Sequence, residues 1–197
     1  VLAGAAAGAA SAPAEAASPE ARRLIKPPRL KRGDVIGLIA PGGVVDDALI
    51  EKCVRNLESL GFSVKPARNL RAARGGYAGT VAERLEDLHA MVRDRNVAAI
   101  WAARGGSGCL ALLPHIDYAT MRRHPKVLIG YSDITALHLA LYRHARLITF
   151  HGPVASSTSS AGASVSRTRA PPSSSSAPAV PGSSRSVRSR ISYGVFG

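Results

Sequence analysis

From Gly33 to Val154, short apolar runs alternate with longer amphipathic stretches, and this alternation limits the possible folds more than any other feature. The runs are too short for helices and carry no polar alternation, so they read as strands buried on both faces. A parallel sheet built from successive βα units provides that environment. The first run, Val35-Ile36-Gly37-Leu38-Ile39-Ala40, stops at Pro41-Gly42-Gly43. Asp46 and Asp47 then suit the positive end of a helix dipole, and Leu49, Ile50, Cys53, Leu57 and Leu60 follow at helical spacing until Gly61 closes the helix. Residues 62–64 read as a second strand. Val81, Leu85, Leu88 and Val92 mark a second helix, with Thr80 and Glu83 spaced as a capping box. Further strands are expected at residues 98–101, 127–129 and 147–150, with short helices over 109–113 and 118–123. One more helix carries Ile134, Leu137, His138, Leu141 and Tyr142 on related faces. The expected architecture is α/β: an open, mostly parallel sheet with helices on both faces, Rossmann-like or flavodoxin-like.

Two turns at the carboxyl ends of strands could carry chemistry. In Gly130-Tyr131-Ser132-Asp133 a strand, a tight turn and a helix follow in the order of a nucleophile elbow. Such a turn projects the serine hydroxyl over the sheet and sets a helix N-terminus beneath it, favouring developing negative charge. The spacing departs from G-x-S-x-G because Asp133 and Ile134 follow the serine, and Ser132 or Asp133 could equally serve as an ordinary helix N-cap. The second turn is Arg104-Gly105-Gly106-Ser107-Gly108. Glycines after a strand let backbone N–H groups face a phosphate or an oxyanion, though a plain tight turn has the same composition. The run matches neither G-x-G-x-x-G nor the P-loop pattern, so no nucleotide is indicated.

The net charge of +13 invites a nucleic-acid or membrane-surface reading, but its distribution weakens that reading. Five arginines (Arg167, Arg169, Arg185, Arg188 and Arg190) stand in residues 155–197 with no Asp, Glu or Lys, and elsewhere the basic residues mix with acidic ones. Fifteen serines in those 43 residues leave no helical or strand period, so residues 155–197 are expected to form a disordered Ser/Arg/Pro-rich tail. At the other end, residues 1–32 form an Ala/Pro-rich leader. It is either a disordered segment or the remnant of a signal peptide, for which Ala10-Ser11-Ala12 would be the cleavage site. Cys53 and Cys109 lie in apolar helical patterns without the paired spacing of a zinc site and read as small core residues. No apolar run is long enough for a membrane span.

Beyond these local readings, a series of motifs occurs in order between about Leu30 and Val154. They are Gly75-Gly76-Tyr77-Ala78-Gly79-Thr80, Glu83-Arg84, Asp87-Leu88, Ala103-Arg104-Gly105-Gly106-Ser107-Gly108, Leu112-Leu113, Asp117-Tyr118, Pro125-Lys126, Ile129-Gly130-Tyr131-Ser132-Asp133-Ile134-Thr135-Ala136-Leu137 and Phe150-His151-Gly152-Pro153. Together they resemble the LD-carboxypeptidases, a serine peptidase family that includes the microcin immunity proteins. The resemblance implies that residues 33–154 form the N-terminal domain, similar to that of class I glutamine amidotransferases. It implies an enzyme that removes the terminal D-alanine from the tetrapeptide stem of murein fragments in peptidoglycan recycling, acting in the cytoplasm, or outside it if the leader is a signal remnant.

In residue terms the resemblance implies Ser132 as the nucleophile, the N–H groups of Asp133 and Gly106 as the oxyanion hole, and Arg104 and Gly105 as substrate-binding residues. No metal or organic cofactor is implied, and the intact family member could be a homodimer. The family's triad glutamate and histidine come from a C-terminal domain and cannot be placed here. After Pro153 the family-like text gives way to the tail, as a shifted reading frame or truncated gene would produce, so this chain is expected to be inactive by itself. The rival reading is a non-catalytic remnant acting as a peptide-binding module or, through its basic tail, as a weak nucleic-acid binder.

Overall fold

The computed structural model describes residues 23–158 and the backbone of Ser166–Arg167. The strands are β1 (Val35–Ile39), β2 (Ser63–Pro66), β3 (Val97–Ala102), β4 (Val127–Gly130), β5 (Phe150–His151) and β6 (Ser166–Arg167). They form one sheet in the order β2-β1-β3-β4-β5-β6, parallel throughout except for the antiparallel pair β5 and β6. The helices are α1 (Asp47–Ser59), α2 (Val81–Arg93), α3 (Tyr118–Arg123) and α4 (Thr135–Ala140), with 3₁₀ turns at Cys109–His115, Ser132–Ile134 and Ala155–Ser157.

The strand order explains where the helices go. The chain leaves β1 for β2 in one direction, then crosses back over β1 to reach β3 and continues outward. With right-handed crossovers, α1 covers one face, and α2, α3 and α4 cover the other. Packing agrees: α1 contacts the Ala155–Ser157 turn, whereas α2 contacts α3 and the Cys109–His115 turn. The direction reverses between β1 and β3, which opens a crevice at the carboxyl ends of these strands, between the loops that follow them.

Helix boundaries follow their chemistry. The Asp46 carboxylate accepts from Leu49 N–H, and Gly61, at φ +87°, ends α1. Thr80 and Glu83 form the reciprocal capping box expected at the start of α2. Cys53 and Cys109 are both fully buried; burial pushes the Cys53 thiol up to about 11 and raises that of Cys109 further. Gly37 gives room to the α2 side chains packed on β1, since a Cβ there would stand 2.8 Å from Met91 Sδ.

The structure differs from the sequence expectations at the edges. The second strand runs over Ser63–Pro66, with Phe62 turned into the core. The last parallel strand is only Phe150–His151, because Leu147 pairs in an isolated parallel bridge with Ile25 instead of joining the main ladder. Ile25 N–H donates to Arg146 O and Ile148 N–H to Ile25 O, and Leu30 is buried, so packing begins before residue 33. At the other end it extends beyond Val154. Ala155 is fully buried, its carbonyl accepts from Asn56 Nδ2 at 2.8 Å, and Ser156 N–H donates to Ala103 O. Small residues fit there against α1, a local packing that the serine-rich composition of the whole segment conceals. The expectations for residues 1–22, 159–165 and 168–197, including the signal remnant and most of the disordered tail, lie outside the described residues.

Candidate active site

The elbow begins with a buried strand. All four residues of β4 are buried, and Gly130 ends it where a Cβ would meet Ile134 Cγ2 at 2.9 Å, so glycine lets the following helix fold back over its own strand. Tyr131 is extended, and Ser132 then takes φ +63°, in the left-handed region. A non-glycine residue held there costs about 1–3 kcal/mol, and such strain concentrates at functional sites. Neither side chain at the turn caps the helix: the 3₁₀ segment has no side-chain cap, and Asp133 Oδ2 accepts from Cys109 N–H at 3.0 Å instead. Ser132 is exposed. The first N–H groups of the helix, including that of Asp133, have no intrahelical acceptor.

Two other loops close on this turn. Gly105 lies against Ser132, so that a Cβ on Gly105 would stand 3.0 Å from Ser132 Cβ and 3.3 Å from Oγ. The loop after β1 joins them: Gly43 N–H donates to Gly105 O at 3.0 Å, and a Cβ on Gly42 would stand 2.9 Å from Asp133 Oδ2. Gly106, at φ +118°, approaches Gly43 so closely that a Cβ would meet Gly43 N at 2.7 Å. Ser132, Asp133, Gly105 and Gly106 are therefore brought together at the crevice. Arg104 is exposed at its rim, and its Nη1 donates to Val44 O at 3.1 Å, holding the neighbouring loop.

Two buried polar residues support this arrangement, and neither stands out as such in the sequence. Arg84 on α2 is only 4% exposed; its guanidinium donates to Pro41 O, Gly108 O and Thr80 O and lies over the Tyr77 ring. It thus ties together the loops after β1 and β3. Its signal was an arginine beside Leu85 and Leu88 on the helix face that packs inward. His138 is 1% exposed, with Nδ1 2.9 Å from Thr149 Oγ1 and Nε2 2.9 Å from Gly130 O. Burial pushes its imidazole down to about 4. His151, across from Gly130 on β5, is exposed and meets the Tyr131 ring edge-on at 6.4 Å.

Among the described residues, neither a histidine nor a carboxylate hydrogen-bonds Ser132 Oγ, and His, Cys, Asp and Glu form no cluster of three that could hold a metal ion. Among the same residues no helix is long and apolar enough to cross a membrane. A turn of this kind sets a hydroxyl beside backbone N–H groups, as attack on a carbonyl carbon with stabilisation of the developing oxyanion requires.

Comparison with known proteins agrees with this geometry. Residues 36–152 match the family described as LD-carboxypeptidase N-terminal domain. A probable murein peptide carboxypeptidase of Bacillus subtilis is 44% identical over 131 residues, 66% of this chain and 41% of that protein. The murein tetrapeptide carboxypeptidase of Pseudomonas aeruginosa is 40% identical over 121 residues, 61% of this chain and 39% of that protein. Among solved structures, an MccF-like protein from Bacillus anthracis superposes with a TM-score of 0.64 at 37% identity, over 68% of this chain and 41% of that one. The chain therefore spans about two fifths of the length of these relatives.

Proposed function

The chain belongs to the LD-carboxypeptidase family, a family of hydrolases whose N-terminal domain it matches over more than half its length, and from that premise we propose that it supplies the nucleophile and oxyanion hole of a serine-type LD-carboxypeptidase acting on murein tetrapeptide. The observation that carries this reading is the exposed Ser132, held at φ +63° at the head of a helix and packed against Gly105. Ser132 Oγ attacks the carbonyl between the L-centre of the diamino acid and the terminal D-alanine. Its proton passes to a base, the C–N bond breaks, D-alanine leaves with a proton on its amine, and water then hydrolyses the acyl-serine.

As the carbonyl oxygen gains charge, it moves toward the N–H groups of Asp133 and Gly106. The positive end of the helix dipole favours the same charge. Gly105 leaves room beside the hydroxyl, and Arg104 stands at the rim, where a substrate carboxylate would approach. The base is the family's histidine, oriented by its glutamate, both from the region that follows the N-terminal domain in the longer relatives. The names of the Bacillus subtilis and Pseudomonas aeruginosa relatives support the substrate class.

A chimera tests the proposal. Residues 36–152 of this chain replace the matching segment of the Pseudomonas aeruginosa relative, and D-alanine release from murein tetrapeptide is measured. Release that disappears with Ser132→Ala supports the reading. A folded chimera whose activity survives Ser132→Ala would refute it.

A further inference from the structure

His138 stands six positions after Ser132 on the helix into which the elbow leads, and both its ring nitrogens are engaged inside the protein. A carbonyl oxygen can only accept, so Nε2, 2.9 Å from Gly130 O, carries the ring proton and donates it. In the neutral ring Nδ1 therefore holds the lone pair, and its partner at 2.9 Å, the Thr149 hydroxyl, donates to it. The Gly130 carbonyl also accepts from Gly152 N–H at 3.1 Å, so both of its acceptor sites are used, one from the β5 side and one from the helix. That carbonyl belongs to the peptide that joins Gly130 to Tyr131, the last but one before the left-handed Ser132. Taking Ser132 as the nucleophile, we propose that His138 is a positioning residue: as a neutral imidazole in its Nε2–H form, it clamps the Gly130 carbonyl and keeps Ser132 in its elbow conformation.

Geometry argues against the alternatives. As a base for Ser132, His138 would need a free nitrogen near the hydroxyl, and both nitrogens are committed elsewhere. As mere filling it would need no polar partner, yet it joins the end of β4 to the residue preceding β5. His151 is the titratable ring that faces it, with centroids 6.0 Å apart. Burial first, and the nearby His151 in addition, keep His138 uncharged around neutral pH.

The test needs no peptidase activity, so it separates this proposal from the reading it rests on. The chain is prepared with Ser132→Cys, which turns the elbow residue into a thiol whose alkylation by iodoacetamide reports its setting. Cys53 and Cys109 are buried with raised thiol pKa values and stay silent. The pH profile of alkylation is compared with those of the same chain carrying His138→Leu or His138→Gln. Leucine removes the donor, whereas the glutamine amide can donate to Gly130 O in place of Nε2–H.

The expected result is a midpoint displaced by about one pH unit in the leucine variant, an alkylation rate changed about tenfold below the midpoint, and return to within about twofold of the parent in the glutamine variant. Superimposable profiles for leucine and parent, both folded, would overturn the proposal, as would a glutamine profile that follows leucine. If the leucine variant does not fold, the parent chain decides by nitrogen NMR of the imidazole: a proton on Nε2 alone, unchanged down to about pH 5, sustains the clamp, and a proton on Nδ1 overturns it. Failure of the chimera, with its activity indifferent to Ser132→Ala, would remove the nucleophile reading and leave these profiles to report only the grip on the turn.

Discussion

A methyl group on Gly105 would stand 3.0 Å from Ser132 Cβ and 3.3 Å from Ser132 Oγ, so the glycine-rich turn after β3 and the elbow after β4 are a single fitted pair. Gly105 is not in the left-handed region, so alanine there meets only steric resistance. Gly106 combines φ +118° with a blocking contact from the Gly43 backbone. Gly105→Ala should therefore cost about 1–2 kcal/mol and Gly106→Ala about 2–4 kcal/mol, by urea unfolding of the two variants beside the parent. The reverse order would mean that the two turns are not fitted as described.

Arg84 makes a second prediction. Its guanidinium serves Pro41 O at 2.8 Å, Gly108 O at 3.1 Å and Thr80 O at 3.3 Å from a buried position. Arg84→Leu leaves these carbonyls without that donor and should lower stability by about 2–3 kcal/mol. Arg84→Lys should not restore it, since one ammonium on a shorter reach cannot span carbonyls from separate loops. Full recovery by lysine in a thermal melt would show that charge, and not the planar fork, is what the loops need.

His138 sets a pH dependence of stability. Burial lowers its folded-state pKa from 6.5 to about 4. Between those values the unfolded chain binds a proton that the folded chain refuses, so stability rises with pH across the window. It is complete above about pH 6.5 and is lost as pH falls toward 4, by about 3 kcal/mol in total. Glu83, Asp94 and Asp117 have lowered carboxyl pKa values and lose their contributions at still lower pH, while the raised carboxyl of Asp87 acts in the opposite sense. The difference between parent and His138→Gln isolates the histidine: the parent's stability should fall more steeply between pH 6.5 and 4. Parallel curves would mean that the imidazole is not held neutral.

Much of this was legible in the text because apolar period and turn chemistry are local. Thr80 and Glu83 announce the start of α2, Gly61 the end of α1, and Gly130-Tyr131-Ser132 the elbow. What escaped depends on contacts distant in sequence. Ile25 finds Leu147 more than a hundred positions away, and Ala155 finds Asn56 of α1 at a separation of 99 residues; neither leaves a periodic trace. Arg84 and His138 could be placed on inward faces, but their partners are backbone carbonyls, which no side-chain pattern encodes. The choice between elbow and helix cap likewise turned on a backbone angle and on Asp133 reaching Cys109.

The last prediction concerns the chain's own activity. Among the described residues Ser132 Oγ has no base: His138 is committed to Gly130 and Thr149, and the Asp133 carboxylate to Cys109 N–H. A neutral serine hydroxyl attacks poorly unless its proton is removed as the new bond forms, and without a base beside it only what binding and neighbouring N–H donors provide would remain, orders of magnitude below a complete triad. D-alanine release from murein tetrapeptide by this chain should therefore match that of its Ser132→Ala variant within error. The assay is chiral amino-acid analysis over extended incubation, with the Pseudomonas aeruginosa relative as a positive control. A parent rate clearly above the variant's would mean that a base reaches Ser132 from within this chain. His151, exposed on the strand beside the elbow and opposite Gly130, would then be the first to replace.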